Sequence, residues 1–149
     1  MTSISVKHLF QGTIDEVFDA VINADRYPVV SRLVHVHRLC AAKSGDKDGI
    51  GTQREVELGF VWFKEEFTAF ERPHRVDYKI FESRPSFDHQ HGSFSFKKQG
   101  KNTEVTWSTT VNVPLALPPK LAEKMTEWVL KAAFKSTLMV LDRKLRAKK

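Results

Sequence analysis

Glu65 is the residue of this chain best placed to do chemistry, because it stands between Phe63 and Phe67 in a stretch of alternating character. In an extended strand, residues two apart share a face. Phe63, Glu65, Phe67 and Ala69 then form one row, with a carboxylate set among aromatics. An inward carboxylate is costly unless it is paired or protonated. Burial raises the pKa of an unpaired carboxyl, which is how a general acid or base is prepared. A pairing with Arg54 across neighbouring strands would instead make both residues structural. The opposite phase would bury Lys64 and Glu66 beside Thr68 and Phe70, two charges rather than one, so the phase with Glu65 inward is preferred.

Six histidines raise the question of a metal. His35-x-His37 and His89-x-His91 each place two imidazoles on one face of a strand, a spacing able to chelate zinc. The phases set by Val34/Val36 and by Phe94/Phe96 turn both pairs outward, and neither has a cysteine or a same-face carboxylate to complete a ligand set. No metal is expected. His8 lies in phase with Ile4 and Val6 and can reach the interior, where a hydrogen-bonded core histidine is the simpler reading and a catalytic base the sharper one. The lone Cys40 excludes an internal disulfide, suits a reducing compartment and reads as a packing residue. The chain has no Gly-x-Ser-x-Gly elbow, phosphate-binding glycine loop or His-Glu-x-x-His motif, and no cofactor is expected. Glu65 and His8 remain the candidate acid–base residues.

The elements that position these groups follow from periodicity. Ser3–His8 alternates as a first strand. Thr13 caps a helix, with Glu16 completing a Thr-x-x-Glu capping box, and Val17, Phe18, Val21 and Ile22 make its apolar stripe. Pro28 biases Tyr27 away from helix, so Asp25-Arg26-Tyr27-Pro28 separates it from a short second helical turn near Val30–Leu33. From Val34 the period is two, and Val34–Ala41, Thr52–Leu58, Phe63–Phe70, Arg75–Glu82, Phe87–Lys97 and Glu104–Val113 read as strands. Short Gly-, Pro- and Asn-bearing connections between them imply an antiparallel meander. Pro119 suits the first turn of a closing helix that runs towards Lys149.

That helix carries two apolar rows. One is Leu121, Met125, Trp128, Ala132 and Met139; the other is Leu130, Phe134, Leu138, Leu141 and Leu145. Together they are wider than a surface helix needs, which implies enclosure by a curved sheet, with some of the width available to a second subunit. Residues 120–149 also hold nine Lys/Arg against three acids, while the remaining 119 residues balance at 15 of each. The net charge of +6 therefore belongs to one element.

The chain is one domain by length, with ordinary globular composition at 41% hydrophobic and 28% charged. No run approaches the ~18 apolar residues that read as a membrane span, and Met1–Lys7 has no basic, then apolar, leader pattern. A cytosolic location is expected.

Local marks accompany this order: Thr13-Ile14-Asp15-Glu16-Val17-Phe18, then Asp25-Arg26-Tyr27-Pro28, Gly49-Ile50-Gly51-Thr52, Arg72-Pro73-His74-Arg75-Val76-Asp77-Tyr78, Gly92-Ser93-Phe94-Ser95-Phe96 and Thr103-Glu104-Val105-Thr106-Trp107. Across the whole chain it resembles the START-like, or SRPBCC, superfamily of pollen-allergen proteins, lipid-transfer START domains and bacterial polyketide cyclase/dehydrase-like proteins. The resemblance implies an α+β helix-grip fold: a seven-stranded antiparallel sheet around a long C-terminal helix, with two short helices after strand 1. It also implies a hydrophobic cavity between sheet and helix. Members bind lipids, polyketides, hormones or quinones, and a minority catalyse. An ungapped match from Pro73 sets Ala69 where ring-closing relatives carry an inward arginine, which argues against aromatase chemistry.

The function expected is binding of a small hydrophobic molecule. Phe63, Phe67, Tyr78, Trp107, Met125 and Trp128 would form the walls, and Arg54, Glu65 and Gln90 the orienting polar contacts. The alternatives are a cyclase/dehydratase-type enzyme and a protein-interaction module with a closed core. For the basic helix, a solvated face matched to the helix dipole is the default reading. Weak contact with an anionic membrane is a lesser one, and nucleic acid is disfavoured because Glu123 and Glu127 interrupt the cations and no exposed aromatics interleave with them. The chain is a monomer or homodimer.

Overall fold

The computed structural model describes residues 1–22, 34–43, 45, 48–58 and 61–147, with the backbone alone for 34–38, 40, 58 and 61. The order of elements is β1 (Thr2–Phe10), α1 (Ile14–Ile22), β2 (Val34–Cys40), β3 (Gln53–Leu58), β4 (Val61–Glu71), β5 (Arg75–Arg84), β6 (Asp88–Gln99), β7 (Asn102–Asn112) and α2 (Pro119–Ala147). The strands form one antiparallel sheet in the order β1-β7-β6-β5-β4-β3-β2. β1 and β2, consecutive in sequence, thus lie at opposite edges, and β2 to β7 form the expected meander. The second helical turn expected near Val30–Leu33 lies outside the described residues.

α1 starts where its capping box predicts. The Glu16 N–H donates to Thr13 Oγ1 and the Thr13 N–H to Glu16 Oε2, each at 3.3 Å. Its buried residues Ile14, Val17, Phe18, Val21 and Ile22 face the inside of the sheet. Arg72 fastens the β4–β5 turn to this helix, lying over the Phe18 ring at 4.7 Å and reaching Asp19 Oδ1 at 2.6 Å.

α2 runs beside β1 in the same direction. The Met1 amino group meets Glu123 at 3.2 Å, Lys135 Nζ donates to the Lys7 carbonyl at 2.7 Å, and Asp142 accepts the Gln11 N–H at 3.2 Å. Leu138, Leu141 and Leu145 are buried in the main core with Phe10, Phe18, Phe67, Val76, Phe94, Phe96 and Val105. Phe134 packs on the edge of that cluster. The row Leu121, Met125, Trp128 and Met139 is on the far side and exposed. The helix therefore buries one of its two apolar rows and turns the other outward.

Three bulges between β4 and β7 fix which side chains face in there. Those between Lys64 and Glu65 and between Phe67 and Ala69 interrupt the β4–β5 pairing. Phe70, rather than Ala69, consequently packs on the core. The third, between His89 and His91, interrupts the β6–β7 pairing. An extra residue in one strand reverses the alternation beyond it, so His89 is buried while Gln90 and His91 are exposed.

Candidate functional site

The inner face of the sheet carries a polar centre at β3–β4 and an aromatic row at β5–β7. At the polar centre, Arg54 and Glu65 face each other across the β3–β4 pair, 3% and 5% exposed. Arg54 Nε donates to Glu65 Oε1 at 2.7 Å and Nη2 donates to the same oxygen. Nη1 donates to the Ile22 carbonyl at 2.9 Å, and the guanidinium lies over the Phe67 ring at 4.6 Å. Glu65 is thus inward as the sequence implies, and it is paired. Arg54 also closes the last turn of α1, where a helix leaves carbonyls without intrahelical donors.

The aromatic row begins at Tyr78, which lies across Gly92 on the neighbouring strand. A Cβ at Gly92 would come within 2.2 Å of the Tyr78 ring, so only glycine lets the ring lie there. Tyr78 oxygen accepts from Trp107 Nε1–H at 2.8 Å. Tyr78 and Phe94 rings are 5.7 Å apart, Phe94 and Trp107 4.7 Å, and Trp107 and Phe134 of α2 3.7 Å with an interplanar angle of 5°. This stack joins sheet to helix. Tyr78, Phe94 and Phe67 are buried, whereas Phe63, Ile80, Trp107 and Phe134 are only half-buried.

His89 extends the row on the other side of Tyr78, with ring centroids 5.5 Å apart and near parallel. Its Nδ1 accepts the Ile80 N–H at 3.0 Å, and Nε2 meets Thr109 Oγ1 at 2.9 Å. The Thr109 hydroxyl in turn donates to the His91 carbonyl at 3.2 Å. These partners require the neutral Nε2–H tautomer, since a protonated ring would have no acceptor for Ile80. Burial, followed by the nearby His91 and Lys79 charges, lowers the His89 pKa to about 4.

His8 reaches inward in phase with Ile4 and Val6 and is hydrogen-bonded. Nε2 is 3.0 Å from Asp142 Oδ2, and Lys135 Nζ is 3.2 Å from Nδ1. An ammonium only donates, so Nε2 carries the hydrogen towards Asp142, and both ring nitrogens are occupied. Asp142 is 4% exposed and also accepts from the Gln11 backbone.

The structure brings Arg54, Glu65, Phe67, Tyr78 and Trp107 to the inner face, with Phe63 half-buried beside them. Four side chains placed otherwise from sequence are corrected. Gln90 points outward, exposed, and donates to Asp88 at 3.1 Å, because of the bulge at His89/His91. Met125 and Trp128 are 45% and 74% exposed, because α2 packs through its other row. His89, expected outside, takes the inner position. The side chains of His35 and His37 lie outside the described set, and among the described residues no three His, Cys, Asp or Glu side chains gather as a metal site would need. Sequence reasoning missed His89 and Asp142. For His89 no sequence signal marks the bulge; Asp142 could have been found as the acid on α2 in line with the buried Leu138, Leu141 and Leu145.

An antiparallel sheet against a long C-terminal helix, with an aromatic inner face, defines a START/Bet v 1-like α+β fold. Residues 1–146 match the family described as polyketide cyclase/dehydrase and lipid transport, and the chain belongs to that family. Solved structures agree at the level of fold. A protein of Thermus thermophilus superposes with a TM-score of 0.80 at 16% identity, covering 99% of both chains. A START superfamily protein of Mycobacterium smegmatis gives 0.80 at 14% identity over 100% of both chains. Ara h 8.0201 gives 0.70 at 14% identity over 97% of both. No curated protein sequence matches this chain. Among the described residues, no helix is long and apolar enough to cross a membrane.

Proposed function

We propose that this protein is a binding module for a small, largely apolar molecule, of the lipid, polyketide or aromatic-metabolite class, held between the inner face of the sheet and α2. The reading rests above all on the half-burial of Phe63, Ile80, Trp107 and Phe134. These apolar side chains border the buried core yet keep part of their surface accessible, the kind of surface an apolar ligand covers. Family membership supports the same class of ligand. Phe63, Phe67, Tyr78 and Trp107 are the proposed walls, and Arg54 and Glu65 the polar end.

The state of the two candidate acid–base residues supports a carrier over an enzyme. Glu65 is engaged by the Arg54 guanidinium, and both nitrogens of His8 are occupied. Arg54 holds Glu65 through Oε1 as a buried ion pair, and His8 keeps no ring nitrogen open to act as a general base. We place this carrier in the cytosol on the strength of its single cysteine.

Native mass spectrometry of the purified protein, followed by titration with anilinonaphthalene sulfonate and displacement by a fatty acid, tests the proposal. One-to-one uptake that quenches tryptophan emission is the expected result, weakened in Phe134→Ala. A protein that carries no bound molecule and takes up neither probe would overturn it in favour of a closed interaction module.

A further inference from the structure

The outward row of α2 is built for a surface that the rest of the fold does not supply. Leu121, Met125, Trp128 and Met139 are 47%, 45%, 74% and 37% exposed along one side of the helix. The connector before α2 adds exposed Leu115 and Leu117. Scattered exposed apolar residues are ordinary, but several on one side of a single helix, a tryptophan among them, mark an interaction surface. Beside that row runs a second one of exposed cations, Lys120, Lys124 and Lys131, at helical spacing. Exposed Arg143 and Arg146 continue the positive charge towards the end of the helix. The two acids within this band are both matched, Glu127 by Lys131 at 2.7 Å and Glu123 by the Met1 amino group at 3.2 Å.

We propose that this face of α2 docks the protein on the surface of a bilayer bearing anionic headgroups. The chemistry of the face decides among occupants. A second copy would cover the apolar row but bring together two helices that each hold the whole positive excess of the chain. A nucleic acid would answer the cations and leave Leu121, Met125 and Met139 uncovered. An anionic bilayer answers both, with tryptophan and the aliphatic side chains entering the headgroup boundary while lysines meet the lipid charge. The docking surface is separate from the inner face, so the proposal holds whether or not a ligand is carried.

The test is cosedimentation of the full chain with phosphatidylcholine vesicles, with and without phosphatidylserine, at low and high salt. Binding is expected on the phosphatidylserine vesicles alone, falling as salt rises and accompanied by a blue shift of tryptophan emission that Trp128→Ser removes. Trp128→Ser should weaken it by about tenfold, the order of effect of losing part of one large apolar side chain's burial. The double variant Lys120→Glu/Lys124→Glu should abolish the dependence on phosphatidylserine. Both variants alter exposed residues, and unchanged melting curves verify that the fold is intact. Absence of cosedimentation, or equal binding by Trp128→Ser, overturns the proposal. A concentration-dependent dimer in sedimentation equilibrium that Trp128→Ser dissociates would give the face to a second copy. Tighter binding to duplex DNA than to vesicles at matched salt would give it to nucleic acid. Either result also overturns the proposal.

Discussion

The two apolar rows of α2 have similar composition and opposite fates. Leu138 is fully buried against the sheet, while its neighbour Met139 is exposed. Asp142, an acid, is buried on the inward side, while Trp128, the largest apolar side chain of the helix, is the most exposed of its outward row. The contrast shows that apolarity alone did not choose the buried side. Partners did: Leu138, Leu141 and Leu145 meet a preformed aromatic interior, and Asp142 is kept inside by His8 and the Gln11 N–H. A helix with apolar residues on both sides can pack either way, and the sheet it meets selects the orientation.

The inward side should be fragile and the outward side tolerant, and this contrast can be broken experimentally. The largest effect is expected opposite the helix, at the ion pair. Glu65→Gln leaves the Arg54 charge buried with a weaker partner, so chemical denaturation should show a loss of about 3–5 kcal/mol, as when other buried pairs lose one member. A variant as stable as the parent would mean that the pair is not closed to water. Next, Leu138→Ala should cost about 2–5 kcal/mol through lost burial and the cavity left behind, whereas Met139→Ala at the adjacent position should stay within about 0.5 kcal/mol. Equal effects at the two positions would refute the orientation given to α2.

His89 sets a pH dependence of similar size. Its folded pKa near 4 lies below the ordinary 6.5, so the unfolded chain binds the proton first. Its contribution is present in full above pH 6.5 and is lost as the pH falls through 6.5 towards 4. The loss amounts to roughly 3 kcal/mol. Melting curves over this interval should show a slope that His89→Gln reduces; an unchanged slope would assign it to other groups. The smallest effect is at the outward row, where Met125→Ser should move the melting temperature by no more than about 2 °C. A marked loss there would show that the row is covered in the folded protein.

Much of the fold was legible because its signals are local. The Thr13–Glu16 capping box, the period-two runs from Val34 and Pro119 at the head of α2 each act within a few residues, and α1, the strands and α2 lie where they indicate. The Arg54–Glu65 pair was legible for a related reason: register placed the two residues opposite each other, and charge required that they meet. Gln90 was misplaced because a β-bulge adds one residue without a sequence mark, and one residue reverses a strand's faces. Met125 and Trp128 were misplaced because two apolar rows of equal strength give no rule for choosing between them.

The sequence by itself determined the order and type of the elements, the family resemblance, and the concentration of positive charge in α2. Those follow from backbone sterics, side-chain periodicity and composition, which act at short range along the chain. Only the tertiary structure decided which histidine is buried, that His8 and Asp142 pair from opposite ends of the chain, and which face of α2 is left exposed. Those depend on contacts between residues more than a hundred positions apart, as between Lys7 and Lys135, and on single-residue shifts in register that no local pattern encodes.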